Sequence, residues 1–130
     1  QTTRGLHWNI RGEKFFELHL KYEELYTNIL LKVDEITERI LTLGDTPLHT
    51  FTDYKKTTKI KSVKNVSDGK EGVQSILDAF EILIVRQREL LNISADAGDE
   101  GTNALMSDYV REQEKLDWMY SAFLKKNKII

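Results

Sequence analysis

Between Glu13 and Leu43 the chain carries neither a glycine nor a proline, and apolar residues recur there every three or four positions. The stripe reads Leu18, Tyr22, Leu25, Ile29, Val33, Ile36, Ile40, Leu43. That step belongs to one face of an α-helix, whereas a strand alternates every second residue. At ~1.5 Å per residue the helix is roughly 45 Å long, more than an average globular helix. A glycine at position 44 and the single proline of the chain, Pro47, end it. With so few breakers the fold class is all-α.

The rest of the chain follows the same punctuation. A first helical piece runs from Gln1 to about Arg11 and stops at Gly12. Its start at Gln1, without Met and already in helical pattern, leads us to expect an upstream segment and a truncated first helix. The stretch Asp45–Val66 is polar and loose, with a short helical turn expected around Phe51–Lys55. Asp68-Gly-Lys-Glu71 is a capping-box-like start for a third helix running to about Ser94. A Gly-rich acidic break, Ala95–Gly101, precedes a fourth helix over about Thr102–Lys125. We therefore expect one domain over residues 1–130, a four-helix bundle with a short helix in the loop between the second and third helices.

Composition removes several function classes. The chain has 130 residues, 40% of them hydrophobic and 31% charged, which supports one solvated domain with a core. It has no cysteine, which excludes disulfides, zinc-thiolate sites and a cysteine nucleophile and fits a reducing, cytoplasmic setting. The net charge of −2 gives no general attraction to phosphate backbones. No apolar run approaches the ~20 residues that span a bilayer.

The long helix carries a second stripe: His19, Glu23, Tyr26, Leu30, Asp34, Glu38, Leu41. It is apolar in the middle and bears metal-ligand types at both ends. His19 with Glu23, and Asp34 with Glu38, are i,i+4 pairs, so each shares one face. The pairs lie fifteen residues apart, roughly 22 Å along the axis, too far to share an ion within one chain. Positions 19 and 38, and positions 23 and 34, are however equidistant from a point between 28 and 29. Two copies packed antiparallel about a two-fold axis there would set His19 against Glu38 of the partner subunit, and Glu23 against Asp34 of the partner subunit. Mixed imidazole and carboxylate ligation suits iron, zinc or manganese. A solvated charged face is the plain alternative for any such pair, and on spacing alone the two readings weigh about equally. The residues three before His7, His19 and His49 are Arg4, Phe16 and Thr46. The Glu-x-x-His motif of intrachain di-iron bundles is therefore absent.

The string His7-Trp8-Asn9-Ile10-Arg11-Gly12, followed by Phe15-Phe16-x-Leu18-His19-x-x-x-Glu23 and Asp34-Glu35-Ile36-Thr37-Glu38-Arg39-Ile40, resembles the Dps family, the miniferritins. So do Leu43-Gly44-x-x-Pro47, Gly98-Asp99-Glu100-Gly101-Thr102 and Glu112-x-Glu114-Lys115-x-x-Trp118-Met119. The resemblance covers essentially the whole chain. It implies a ferritin-like bundle, a hollow homododecamer, and ferroxidase sites shared between two-fold-related subunits. It implies that His7, His19 and Glu23 come from one subunit and Asp34 and Glu38 from its neighbour, two iron ions per site, with Trp8 beside it. Hydrogen peroxide or dioxygen is the implied oxidant, and ferric mineral the stored product, which protects against oxidative stress. Arg39 is expected to anchor carboxylates.

The resemblance also implies an acidic iron pore, for which Glu100, Asp99 and Asp96 are candidates; helix capping is the rival role for any of them. Thr37 stands where the family usually has Ala. A Lys-rich N-terminal DNA-binding tail is not seen, and Lys125-Lys126-Asn127-Lys128 is short, so DNA binding is not expected. Lys55, Lys56, Lys59, Lys61 and Lys64 and the loop residue His49 are read as solvent-exposed. Trp118 and Met119, with Leu116, Tyr120 and Phe123, are read as packing. The alternatives to a ferroxidase are a DNA-condensing cage without turnover and a helical interaction module without metal.

Overall fold

The computed structural model describes residues 1–126. Among these it has five helices and no strand: α1 (Thr2–Asn9), α2 (Phe15–Thr42), α3 (Phe51–Thr57), α4 (Gly69–Asp96) and α5 (Glu100–Phe123). The chain is thus all-α, with a short helix, α3, in the loop after the long one. Asn127 and Lys128 lie outside the described residues. No helix of the described residues is long and apolar enough to cross a membrane. The chain divides into two compact units, residues 1–72 and Val73 onward.

In the first unit α1 ends earlier than its pattern suggests. Ile10 leaves the helix with ψ 137°, and its buried side chain draws the chain inward. The Arg11 N–H donates to the Ser67 carbonyl at 3.0 Å rather than to the helix. Gly12, at φ +105°, then makes the reversal into α2. At the far end of α2, Gly44 adopts φ +91°. Its N–H donates to Leu41 O, and that of Asp45 to Ile40 O. These two bonds form a Schellman motif that satisfies the last carbonyls, as the glycine foretold.

The buried side of α2 differs from the expected seam. Leu18, Tyr22 and Leu25 are buried, but Val33 is 51% exposed and Lys32 only 8%. Ile36 and Leu43 are exposed as well. Two turns of α-helix take ~7.2 residues, so the face through Leu18 and Leu25 continues to Lys32. The lysine buries its aliphatic stem there while its Nζ donates to Asn28 Oδ1 at 2.8 Å. In α3 the Thr50 side chain accepts from Asp53 N, and the helix runs two residues past the expected Lys55.

Asp68 Oδ2 accepts the Glu71 N–H at 2.9 Å, the forward half of the capping box anticipated for α4. In the second unit α4 and α5 bury Val73, Ile76, Phe80, Ile84, Met106 and Tyr109. Polar ties join them: Gln87 Nε2 to Gln113 Oε1 at 2.9 Å, Arg88 Nη2 to Glu114 Oε2 at 2.6 Å, and Asn103 Nδ2 to Leu91 O at 3.0 Å. The buried face of α5 runs Met106, Tyr109, Val110, Gln113, Asp117, Tyr120, Ser121. Trp118 and Met119 fall beside that face, and Trp118 is 55% exposed, so they are not core packing within this chain.

Candidate metal centre

His7, His19 and Glu23 each follow a core anchor by one residue. Leu6, Leu18 and Tyr22 are buried, and a step of ~100° around the helix carries His7, His19 and Glu23 to the edge of that core. α1 and α2 pack against each other, which brings the two imidazoles together.

The rings of His7 and His19 stack with centroids 3.8 Å apart and planes 13° from parallel. His7 Nδ1 lies 2.6 Å from the His19 carbonyl oxygen, and His19 Nδ1 lies 2.8 Å from the His7 carbonyl oxygen. A carbonyl only accepts, so each Nδ1 carries the hydrogen and donates. In the neutral rings both Nε2 atoms then hold free lone pairs, the form in which imidazole binds metal. Each histidine thus supplies, through its main chain, the partner that orients the other. Phe15 stacks on His19 at 4.9 Å and 18°. Since His7 and Phe15 both lie parallel to it, the His19 ring is held between them.

Glu23 presents Oε1 3.9 Å from His7 Nε2. His7 is buried, His19 half-buried and Glu23 exposed. The protein therefore offers two oriented nitrogens at the bottom and a carboxylate at the rim. Tyr22, next to Glu23 on α2, is fully buried. Burial first, and the Asp68 carboxylate second, push its phenol up to about 12.

Asp34 and Glu38 lie further along α2, both exposed. The chain does not bring them to the histidines: among the described residues no group of three or more His, Asp or Glu side chains is placed to hold an ion. Trp8 is 66% exposed beside His7. His49 is exposed, as anticipated, with Nδ1 3.1 Å from Pro47 O. Asp99 is the N-cap of α5, accepting the Thr102 N–H at 3.1 Å and its hydroxyl at 2.5 Å, while Asp96 and Glu100 are exposed at the helix ends on either side.

Sequence reasoning placed Tyr26 only in an apolar centre. The structure sets its ring edge-on to His7, centroids 5.4 Å apart, with its hydroxyl 3.5 Å from Glu23 Oε1. The i,i+3 spacing from Glu23 was the available signal. α2 also leaves Phe16, Leu20, Leu30, Leu31 and Leu41 exposed, an apolar stripe larger than a solvated helix face carries.

A ferritin-like domain model matches residues 1–130. A Porphyromonas gingivalis protein named DNA protection during starvation protein is 39% identical over 123 residues, which is 95% of this chain and 77% of that protein. The chain belongs to the Dps family of ferritin-like proteins. A Haemophilus influenzae protein is 50% identical over 119 residues, covering 92% of this chain and 74% of that one. The Dps crystal structure from Vibrio cholerae O1, described as a member of a broad superfamily of ferritin-like diiron-carboxylate proteins, superimposes with a TM-score of 0.93 at 54% identity. That alignment covers 95% of this chain and 77% of the Vibrio chain. The helix order of this Dps chain, with α3 between the long helices, is accordingly the ferritin-like bundle anticipated from its sequence.

Proposed function

We propose that this Dps chain oxidises Fe(II) with hydrogen peroxide or dioxygen at sites shared between two-fold-related subunits, and stores the ferric product inside a dodecameric cage. The observation that carries the reading is the reciprocally locked His7–His19 pair, both Nε2 atoms available, beside the Glu23 carboxylate. Two oriented imidazoles with a carboxylate nearby leave coordination positions open, as a substrate ion and its oxidant require. Asp34 and Glu38 of the partner subunit are the proposed remaining ligands.

The exposed stripe of α2 supports the shared site. About the dyad between residues 28 and 29, Phe16 falls opposite Leu41 and Tyr26 opposite Leu31, while Leu20 and Leu30 fall opposite Thr37 and Thr27. At the same register the histidine end meets the Asp34–Glu38 end. The hard carboxylate oxygens favour the Fe(III) state over the Fe(II) that enters, while imidazole retains Fe(II). Trp8, beside His7, is proposed as the neighbour that handles stray oxidising equivalents. Glu100, Asp99 and Asp96 stay as candidates for the iron entry path.

Anaerobic Fe(II) loading followed by peroxide tests the activity, with ferric absorbance read against a size-exclusion trace. Fast oxidation at about two Fe(II) per peroxide in a particle of about twelve chains is expected, since peroxide takes two electrons on its way to water. The shared site has its own test. His19→Ala and Asp34→Ala subunits are each inactive alone; co-expressed, half of the random dimers are mixed and each mixed dimer has one intact site. Recovery of about a quarter of the parent rate is expected. No recovery in a full-size particle refutes the sharing of ligands.

A further inference from the structure

We infer that Tyr26 is a positioning residue of the metal centre: it holds Glu23 and the His7 ring in the geometry that receives the ion. The inference rests on the metal reading above and goes beyond it, because Tyr26 is not itself a ligand.

Three contacts converge on this one side chain, and helix spacing supports them. Its ring stands edge-on to His7, at 80° between planes. Its hydroxyl is 3.5 Å from Glu23 Oε1, with the phenol as donor and the carboxylate as acceptor. On the ring face lies the Arg4 guanidinium, 5.5 Å from the centroid. Finally, Tyr26 is one turn from Glu23 on α2, just as Arg4 is one turn from His7 on α1. Tyr26 therefore touches two residues of α1 and one of α2, and two of the three are proposed ligands.

The physical need lies at Glu23. Its side chain is 54% exposed, so it is the least restrained of the three donors and loses the most rotamer freedom on capturing an ion. The His7 and His19 rings are held by stacking and by main-chain oxygens; Glu23 has the Tyr26 hydroxyl. A contact of 3.5 Å is long for O–H···O, and such bonds tighten when the bound geometry forms. The Arg4 cation on the π-face keeps the ring from swinging away.

Co(II) is the probe, added anaerobically to the assembled protein and followed by its visible absorption, which reports ligand geometry without turnover. Tyr26→Phe keeps the ring and its packing and removes only the hydroxyl. About tenfold weaker Co(II) binding and a changed band shape are expected, the lower end of what loss of an outer-shell partner costs. With Fe(II) and peroxide, KM for Fe(II) rises while kcat holds. Tyr54→Phe, which removes a hydroxyl bonded to the Leu48 carbonyl at 3.0 Å away from the centre, leaves both readouts unchanged. Equal Co(II) affinity and spectrum for parent and Tyr26→Phe overturns the inference and leaves the metal reading standing. Failure of the parent itself to bind Co(II) overturns both.

Discussion

Tyr22 and Gly72 form a contact whose removal from either side gives opposite signs. The Tyr22 hydroxyl is buried without a hydrogen-bond partner among the described residues. A Cβ on Gly72 would stand 2.6 Å from that oxygen, 3.4 Å from Leu6 Cδ2 and 3.5 Å from Tyr22 Cζ. A buried unpaired hydroxyl costs about 1–3 kcal/mol. Tyr22→Phe is therefore expected to stabilise the protein by about 1 kcal/mol once the small void is allowed for, a rise in Tm of about 3–5 °C. Gly72→Ala alone meets the hydroxyl. Overpacking of about 1–3 kcal/mol outweighs the ~1 kcal/mol that alanine gains over glycine inside a helix. In the Tyr22→Phe background the oxygen is gone and the nearest atoms stand at ordinary or slightly tight distances, so the same substitution becomes stabilising. The double-mutant cycle should show a coupling of about 1–2 kcal/mol.

The assay is urea unfolding of all four proteins at equal protein concentration. Alkaline pH adds a second readout. The phenol titrates near 10 in the unfolded chain and at about 12 in the folded one. The unfolded state thus gives up its proton first, and stability falls as pH rises from about 10 to about 12. The loss amounts to about 2–3 kcal/mol and is absent in Tyr22→Phe. Additive substitutions, or a parent and variant that lose stability equally above pH 10, would refute the reasoning.

The other perturbations separate roles that share residues. Asp99→Ala removes the α5 cap and should cost about 1–2 kcal/mol in thermal unfolding, whereas Asp99→Asn should fall within a few tenths of the parent; an equal loss in both shows that its charge, not its cap, matters. Lys125 closes α5 at φ +58°, so Lys125→Gly should raise stability by up to about 1 kcal/mol in the same scans. With a net charge of −2 offsetting the exposed lysines in and after α3, duplex DNA should show no gel shift at physiological salt with micromolar protein. A clear shift would favour the condensing-cage reading.

The long helix and its closing glycine were legible because apolar spacing and left-handed backbone are local properties. Asp68, Thr50 and Asp99 act at helix starts for the same reason; Asp68 was recognised as a start signal, capping by Asp99 only as the rival to its pore role, and Thr50 not at all. What was not legible lies where polar residues form the buried face. Lys32, Gln113 and Asp117 occupy core positions, so a hydropathy count on α2 shifts by one residue to Val33, and on α5 it rotates to Trp118 and Met119. His19 and Glu23 could be named from residue types and spacing, His7 only from the resemblance; in the structure His7 stacks on His19 and Glu23 lies 3.9 Å from His7. Nothing in one sequence announced that the two histidines bond each other's main chain, because the carbonyl of any residue looks alike. Tyr26 was legible only in part for a related reason: its hydroxyl and its ring serve different neighbours, and periodicity registers only the ring.

The exchange of ring hydrogens for carbonyls between His7 and His19 makes helix docking and ligand orientation a single event. α1 packs on α2, with Thr3, Leu6 and His7 buried. Its register on α2 is secured by the same two bonds that orient the two rings. A slip of α1 by one residue would break both bonds, reverse the tautomer preference and turn His7 away together. The centre thus works as a clasp as well as a receptacle, and any ion that needs both nitrogens is, by linkage, a ligand for the docked state of α1.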